Sequence, residues 1–158
     1  MIDVEYGTQA NLAPEELTEF YRGLHHPVHA EPAQIQRMMK NSAVFITARV
    51  GGRLVGIARG VSDGVRGYLT ECKLDPSLQG PAAVTRTDGR VEHDTNGIAR
   101  EMANRVLERL FADGVQRVDT VAYGTELDFC EELGFKRNGG LVGVTLMADD
   151  WAAVAGRA

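Results

Sequence analysis

Apolar and acidic residues alternate along Ile2-Asp3-Val4-Glu5-Tyr6, which predicts that the chain opens with a half-buried strand. The period then lengthens. Leu17, Phe20, Tyr21 and Leu24 recur at helical spacing behind Pro14-Glu15-Glu16, with Asn11 as a candidate cap and the acids near the positive end of the helix. A second helix is expected from Glu31-Pro32, with Ile35, Met38 and Met39 as its apolar stripe. Three strands follow, Ala43–Val50, Arg53–Ser62 and Val65–Leu74, separated by the hairpin signals Gly51-Gly52 and Asp63-Gly64. Strict alternation along the third places Tyr68, Thr70 and Cys72 on one face and Leu69, Glu71 and Lys73 on the other. From Gly97 to Asp113 the period is helical again, with Ile98, Met102, Val106, Leu107 and Leu110 on one side and Gly114 as the stop. Val115–Ala122 reads as a strand parallel to Val65–Leu74, because a helix of this length is the crossover that such a pair needs. A helix from Thr125 to Leu133, a turn at Asn138-Gly139-Gly140, a last strand Leu141–Met147 and a short helix carrying Trp151 complete the chain.

The organising stretch runs from Cys72 to Leu107. Without the polar segment Pro81–Thr95, its two ends join as Asp-Pro-Ser-Leu-Gln-Gly-Asn-Gly-Ile-Ala-Arg-Glu-Met. That is a strand, a glycine turn and a helix. The first N–H groups of such a helix are unpaired and, with the positive end of the helix dipole, form an anion site. Gln79-Gly80 followed by Gly97-Ile98-Ala99 resembles the pyrophosphate signature Gln/Arg-x-x-Gly-x-Gly/Ala of the GNAT superfamily of acyl-CoA-dependent N-acyltransferases. Phe129-Cys130-Glu131-Glu132-Leu133-Gly134-Phe135 resembles the family's Phe-Tyr-x-x-Leu-Gly-Phe. The resemblance implies an α/β (α+β) GNAT-like fold over 1–158: one domain with a mixed, mostly antiparallel twisted sheet of about seven strands and helices on both faces. The chain departs from the family in its insertion at 81–95, where Asp88-Gly89 signals a hairpin, and in Cys130, which stands where the family usually has tyrosine.

Composition narrows the partners. The net charge of −5 argues against nucleic acid as the main partner, since a phosphate backbone selects a basic face. No apolar run approaches the roughly twenty residues that span a bilayer, so no membrane partner is expected. With two cysteines and no signal-peptide pattern at Met1-Ile2-Asp3-Val4-Glu5, a reduced, cytoplasmic setting is the expectation. The resemblance implies that the loop of His25, His26 and His29 borders the acceptor pocket, and no carboxylate or cysteine stands at ligand spacing beside them, so no metal is expected.

Acyl transfer from a thioester to an amine requires a held carrier, an amine freed of its proton and a stabilised thiolate. The resemblance implies that pantetheine pairs like an extra strand along Cys72, Lys73 and Leu74. It places the pyrophosphate near Gln79 and on the amides of Gly80, Asn96, Gly97, Ile98, Ala99 and Arg100, with Arg100 and Arg105 as added charge. Glu71 is the obvious carboxylate base, or else a strand-surface residue paired with an arginine across the sheet, and Tyr68 lies nearer to where some relatives carry a glutamate. Cys130 and Tyr123 are the candidates for proton donor to the thiolate, and Cys130 becomes a candidate nucleophile if the helix N-terminus lowers its pKa. The implied activity is N-acetylation of a small-molecule amine with acetyl-CoA as co-substrate, by a monomer or a homodimer. The alternatives are a GNAT-shaped module that binds without catalysis and an enzyme with altered acyl-thioester chemistry.

Overall fold

The computed structural model describes residues 2–24, 30–79 and 94–156. His25, His26, His29, Gly80 and the hairpin expected at Asp88-Gly89 lie outside them. Five strands form one sheet in the order β1-β2-β3-β4-β5. They are β1 (Glu5–Thr8), β2 (Val44–Val50), β3 (Arg53–Ser62), β4 (Arg66–Leu74) and β5 (Arg117–Thr120). The first four are antiparallel neighbours, and β5 joins β4 in parallel. The hairpin turns stand where the Gly-Gly and Asp-Gly pairs predict them, and Asp63 Oδ1 fixes the second by accepting the N–H groups of Val65 and Arg66 at 2.9 and 2.8 Å.

Helices α1 (Pro14–Arg22) and α2 (Pro32–Asn41) cover one face of the sheet, burying Leu17, Phe20, Tyr21, Ile35 and Met39 against Phe45, Leu54 and Ile57. Ala13, not Asn11, holds the N-cap position of α1 and offers no side-chain acceptor. Asn11 ends a short 3-10 turn instead. The crossover helix α3 (Ile98–Ala112) covers the other face and packs Ile98, Met102, Val106 and Leu110 on Val55, Ala58, Leu69 and Leu74. Its close approach depends on glycine. A Cβ at Gly60 would stand 3.0 Å from Val106 Cγ1 and 3.1 Å from Leu110 Cδ1. Short helices α4 (Leu127–Glu132) and α5 (Ala148–Val154) follow β5.

Two expectations need correction. The sheet has five strands among the described residues, not about seven, and Leu141–Met147 is not one of them. Leu141, Val142 and Val144 are 70%, 82% and 92% exposed, so alternation there marks a segment that joins no ladder. The face assignment along β4 also fails, because the β3–β4 register slips between Arg59 and Gly60. Arg59 opposes Glu71 and Gly60 opposes Leu69, which leaves Thr70 as a bulge. Past the bulge the parity inverts. Leu69, Cys72 and Leu74 face α3, while Glu71 turns to α1.

Candidate active-site cleft

Strands β4 and β5 pair only from Arg66–Arg117 to Leu69–Thr120. Strand β4 then continues to Leu74, whereas the chain leaves β5 through Val121-Ala122-Tyr123 into a 3-10 turn, Gly124–Glu126. The strands part, and a cleft of about 320 Å³ opens between them, bounded by Leu69–Lys73, Thr120–Tyr123, Glu126, Phe129 and Cys130. Among the described residues its outer β4 edge has no neighbouring strand past Leu69, and such an edge can accept an extended ligand as a further strand.

Glu71, Cys72, Lys73, Tyr123 and Cys130 come together here. Tyr68 is 44% exposed and is not part of the lining. Glu71 is clamped at one oxygen. Its Oε2 accepts the hydroxyl of the deeply buried Tyr21 at 2.6 Å and Arg59 Nε at 2.7 Å. Burial, then the Glu71 charge and its hydrogen bond, push the Tyr21 phenol far above its ordinary value, so it remains a neutral donor. A carboxylate held at one oxygen keeps a fixed direction, and Glu71 is among the residues that line the cleft.

Neither thiol is activated. Cys72 Sγ donates to Ala99 O at 3.4 Å, and its pKa is raised by burial first, then by Asp94 and Glu126. The Cys130 thiol is pushed up by burial, then by Glu126 and Glu131. Burial and these two carboxylates thus favour the protonated thiol over a thiolate.

The Cys72–Ala99 contact joins the cleft to the first turn of α3. Gly97 is the N-cap, at φ 69°, a left-handed conformation that glycine adopts without strain. A Cβ there would meet nothing within 4 Å among the described residues. Asn96 Nδ2 donates to Leu78 O at 3.3 Å, bridging the two halves of the split signature. Gln79 is buried. Its Nε2 donates to Leu74 O at 3.2 Å and its Oε1 has no partner among the described residues. Arg100 is committed elsewhere, since its guanidinium pairs with Glu132 of α4. Arg105 pairs with Glu101 at 2.8 Å and lies 4.6 Å over the Tyr6 ring. The missing partner in the sequence reading is Asp94. Its Oδ2 accepts the Arg100 N–H at 2.9 Å, and its Oδ1 is buried without a partner among the described residues.

A second hollow of about 260 Å³ lies by α1, just past the C-terminal end of β4, and holds Glu16, Glu19 and Asp75. All three are paired, with Arg49, Arg22 and Arg53 respectively, so none is left for chemistry.

No family model matches the chain, and no curated protein matches it. Solved structures do. A GNAT-family acetyltransferase from Streptococcus pneumoniae TIGR4 superposes with a TM-score of 0.63 at 18% identity, over 90% of this chain and 98% of its own. The chain has the GNAT fold. The same fold is shared, at 12% identity and a TM-score of 0.64, with an aminoglycoside acetyltransferase from an uncultured soil metagenomic sample solved with sisomicin, over 92% of this chain and 95% of that one. Aminoglycoside N-acetyltransferase AAC(6')-Iy, solved with CoA, superposes at 14% identity and 0.63 over the same shares. Within this GNAT fold, the turn into α3 is the feature that the first sequence motif anticipates.

Tyr21, Arg59 and Asp94 were not legible as site residues. Tyr21 is fifty positions from Glu71 and reads as one more apolar residue of a helix stripe. Arg59 stands opposite Glu71 only because the register slips.

Proposed function

We propose that the protein is an acyl-CoA-dependent N-acetyltransferase that moves an acetyl group from acetyl-CoA to an amine of a small molecule. The observation that carries this reading is the cleft itself. An open strand edge over Thr70–Leu74 leads from Glu71 to the α3 N-terminus, linked through the Cys72–Ala99 contact. A pantetheine arm would pair along Cys72, Lys73 and Leu74, and the pyrophosphate would lie on the Gly97, Ile98, Ala99 and Arg100 amides. The amine nitrogen attacks the thioester carbonyl carbon, the C–N bond forms, the C–S bond breaks, and CoA leaves as a thiolate. Glu71, directed by Tyr21 and Arg59, faces the amine and accepts its proton directly or through water. Tyr123 or Cys130 returns a proton to the thiolate sulfur. The raised Cys130 thiol favours a second reading, ligand binding without turnover, because it is a weaker donor.

Calorimetry with acetyl-CoA, followed by thiol release with a panel of small amines, tests both readings. Binding with amine-dependent thiol release is the expected result. Binding without release selects the second reading, and no binding overturns both. Gly97→Asp supplies the site test. It puts a carboxylate at the turn, and acetyl-CoA affinity should fall by at least a hundredfold in a protein whose circular dichroism is unchanged. Retained affinity would remove the phosphates from this turn.

A further inference from the structure

The first turn of α3 already holds an anion. Its N-cap is Gly97, which has no side chain to cap the helix. Asp94 supplies the acceptor from three positions earlier, with Oδ2 at 2.9 Å from the Arg100 N–H. The backbone supports this weakly, since the Gly97 N–H reaches Asp94 O at 3.4 Å. Asp94 Oδ1 is buried with no partner among the described residues. The nearest cation on the helix does not serve it, because the Arg100 guanidinium is turned to Glu132. A carboxylate with one oxygen capped and the other orphaned is an incomplete cap, held by one bond and penalised by desolvation.

We infer that Asp94 is a built-in competitor for the phosphate turn, an internal anion that acyl-CoA must displace before its pyrophosphate can use the α3 amides. The inference rests on the acyl-CoA reading above and adds a residue that sets ligand affinity at that site. Two anions do not share one N–H, and a retained carboxylate would stand against the phosphate charge. In the free protein the carboxylate satisfies a helix amide. In the complex the phosphate takes over that amide, and Asp94 swings out and gains solvation for its orphaned oxygen. The contact is therefore exchangeable, and it lowers affinity for any diphosphate-bearing ligand by the free energy of displacement.

Asp94→Asn separates charge from capping, because its amide oxygen can still accept the Arg100 N–H. Calorimetry with CoA, and separately with inorganic pyrophosphate, should show at least tenfold tighter binding of both to Asp94→Asn than to the natural protein. Equal or weaker binding by a folded Asp94→Asn variant, beside measurable binding by the natural protein, overturns the role of Asp94 and leaves the acyl-CoA reading standing. Absence of CoA binding in both proteins overturns both. If Asp94→Asn does not fold, Asp94→Ser, with a neutral cap, takes its place under the same criteria. A second readout is the Arg100 amide. Its hydrogen-exchange protection should persist when CoA is added and fall in an Asp94→Ala variant without ligand. Protection unaffected by Asp94→Ala would show that the carboxylate is not the cap.

Discussion

Glu71 gains its direction from two residues distant in sequence. The Tyr21 hydroxyl and the Arg59 guanidinium meet on one carboxylate oxygen, and the Tyr21 side chain is almost wholly enclosed. This has a measurable alkaline consequence. The folded-state pKa of Tyr21 lies above the ordinary 10.0, through burial and the Glu71 charge, while the unfolded chain releases that proton near 10. Above pH 10 the unfolded state therefore holds fewer protons than the folded state. The stabilisation is fully present below pH 10 and is lost as pH rises, at about 1.4 kcal/mol per pH unit for one group. Urea unfolding at pH 9 and pH 11 should show a steeper loss for the natural protein than for Tyr21→Phe, by about 1–1.5 kcal/mol over the interval. Equal slopes would mean that Tyr21 is not the group that titrates. The sequence makes Glu71 visible as a carboxylate on a strand, with an arginine across the sheet as one expected partner. Which arginine it is, and the Tyr21 contact, were not visible, because they depend on a bulge that no residue type announces and on tertiary contact over fifty positions.

At the scale of elements, local chemistry was most legible where it decides alone. The Gly51-Gly52 and Asp63-Gly64 turns set the β2–β3–β4 meander, and the stripe on α3 set its buried face. Alternation over Leu141–Met147 gives a strand only if an edge accepts it, so the pattern there carried no structure. The bulge at Thr70 hides for a related reason. It shows in the pairing with β3 and not in residue spacing. Glycine in β3 reads as a weakness in a strand, yet at Gly60 it is what lets α3 lie on the sheet, with Val106 and Leu110 within 3.1 Å of where a Cβ would be. Gly60→Val should therefore overpack this interface and destabilise the protein by about 1–3 kcal/mol in urea denaturation. A loss below about 0.5 kcal/mol would show that the helix can shift away without cost.

The whole molecule is a sheet with a core on each face. Val55 and Ala58 of β3 point to the α3 side, while Leu54 and Ile57 of the same strand point to the α1–α2 side. The site lies past the last β4–β5 pair, and the parallel pairing of these two strands across α3 was legible from the order of elements. The charge state of the turn into α3 was not, because Asp94 caps it from outside the helix. The shared strand also sets a clock for the molecule. Local opening of α1 and α2 strips one side of β3 and leaves its ladders to β2 and β4 intact, and fraying of α3 strips only the other. Amide protons of Val55–Ala58 can thus meet solvent only when both layers have left, which equates their exchange with global unfolding. In hydrogen-exchange mass spectrometry these should be the last amides to take up deuterium, with an opening free energy equal to that from urea melts. Those of α1 should exchange at a lower cost. The lifetime of the β3 protons is then a direct count of how often the entire protein comes apart.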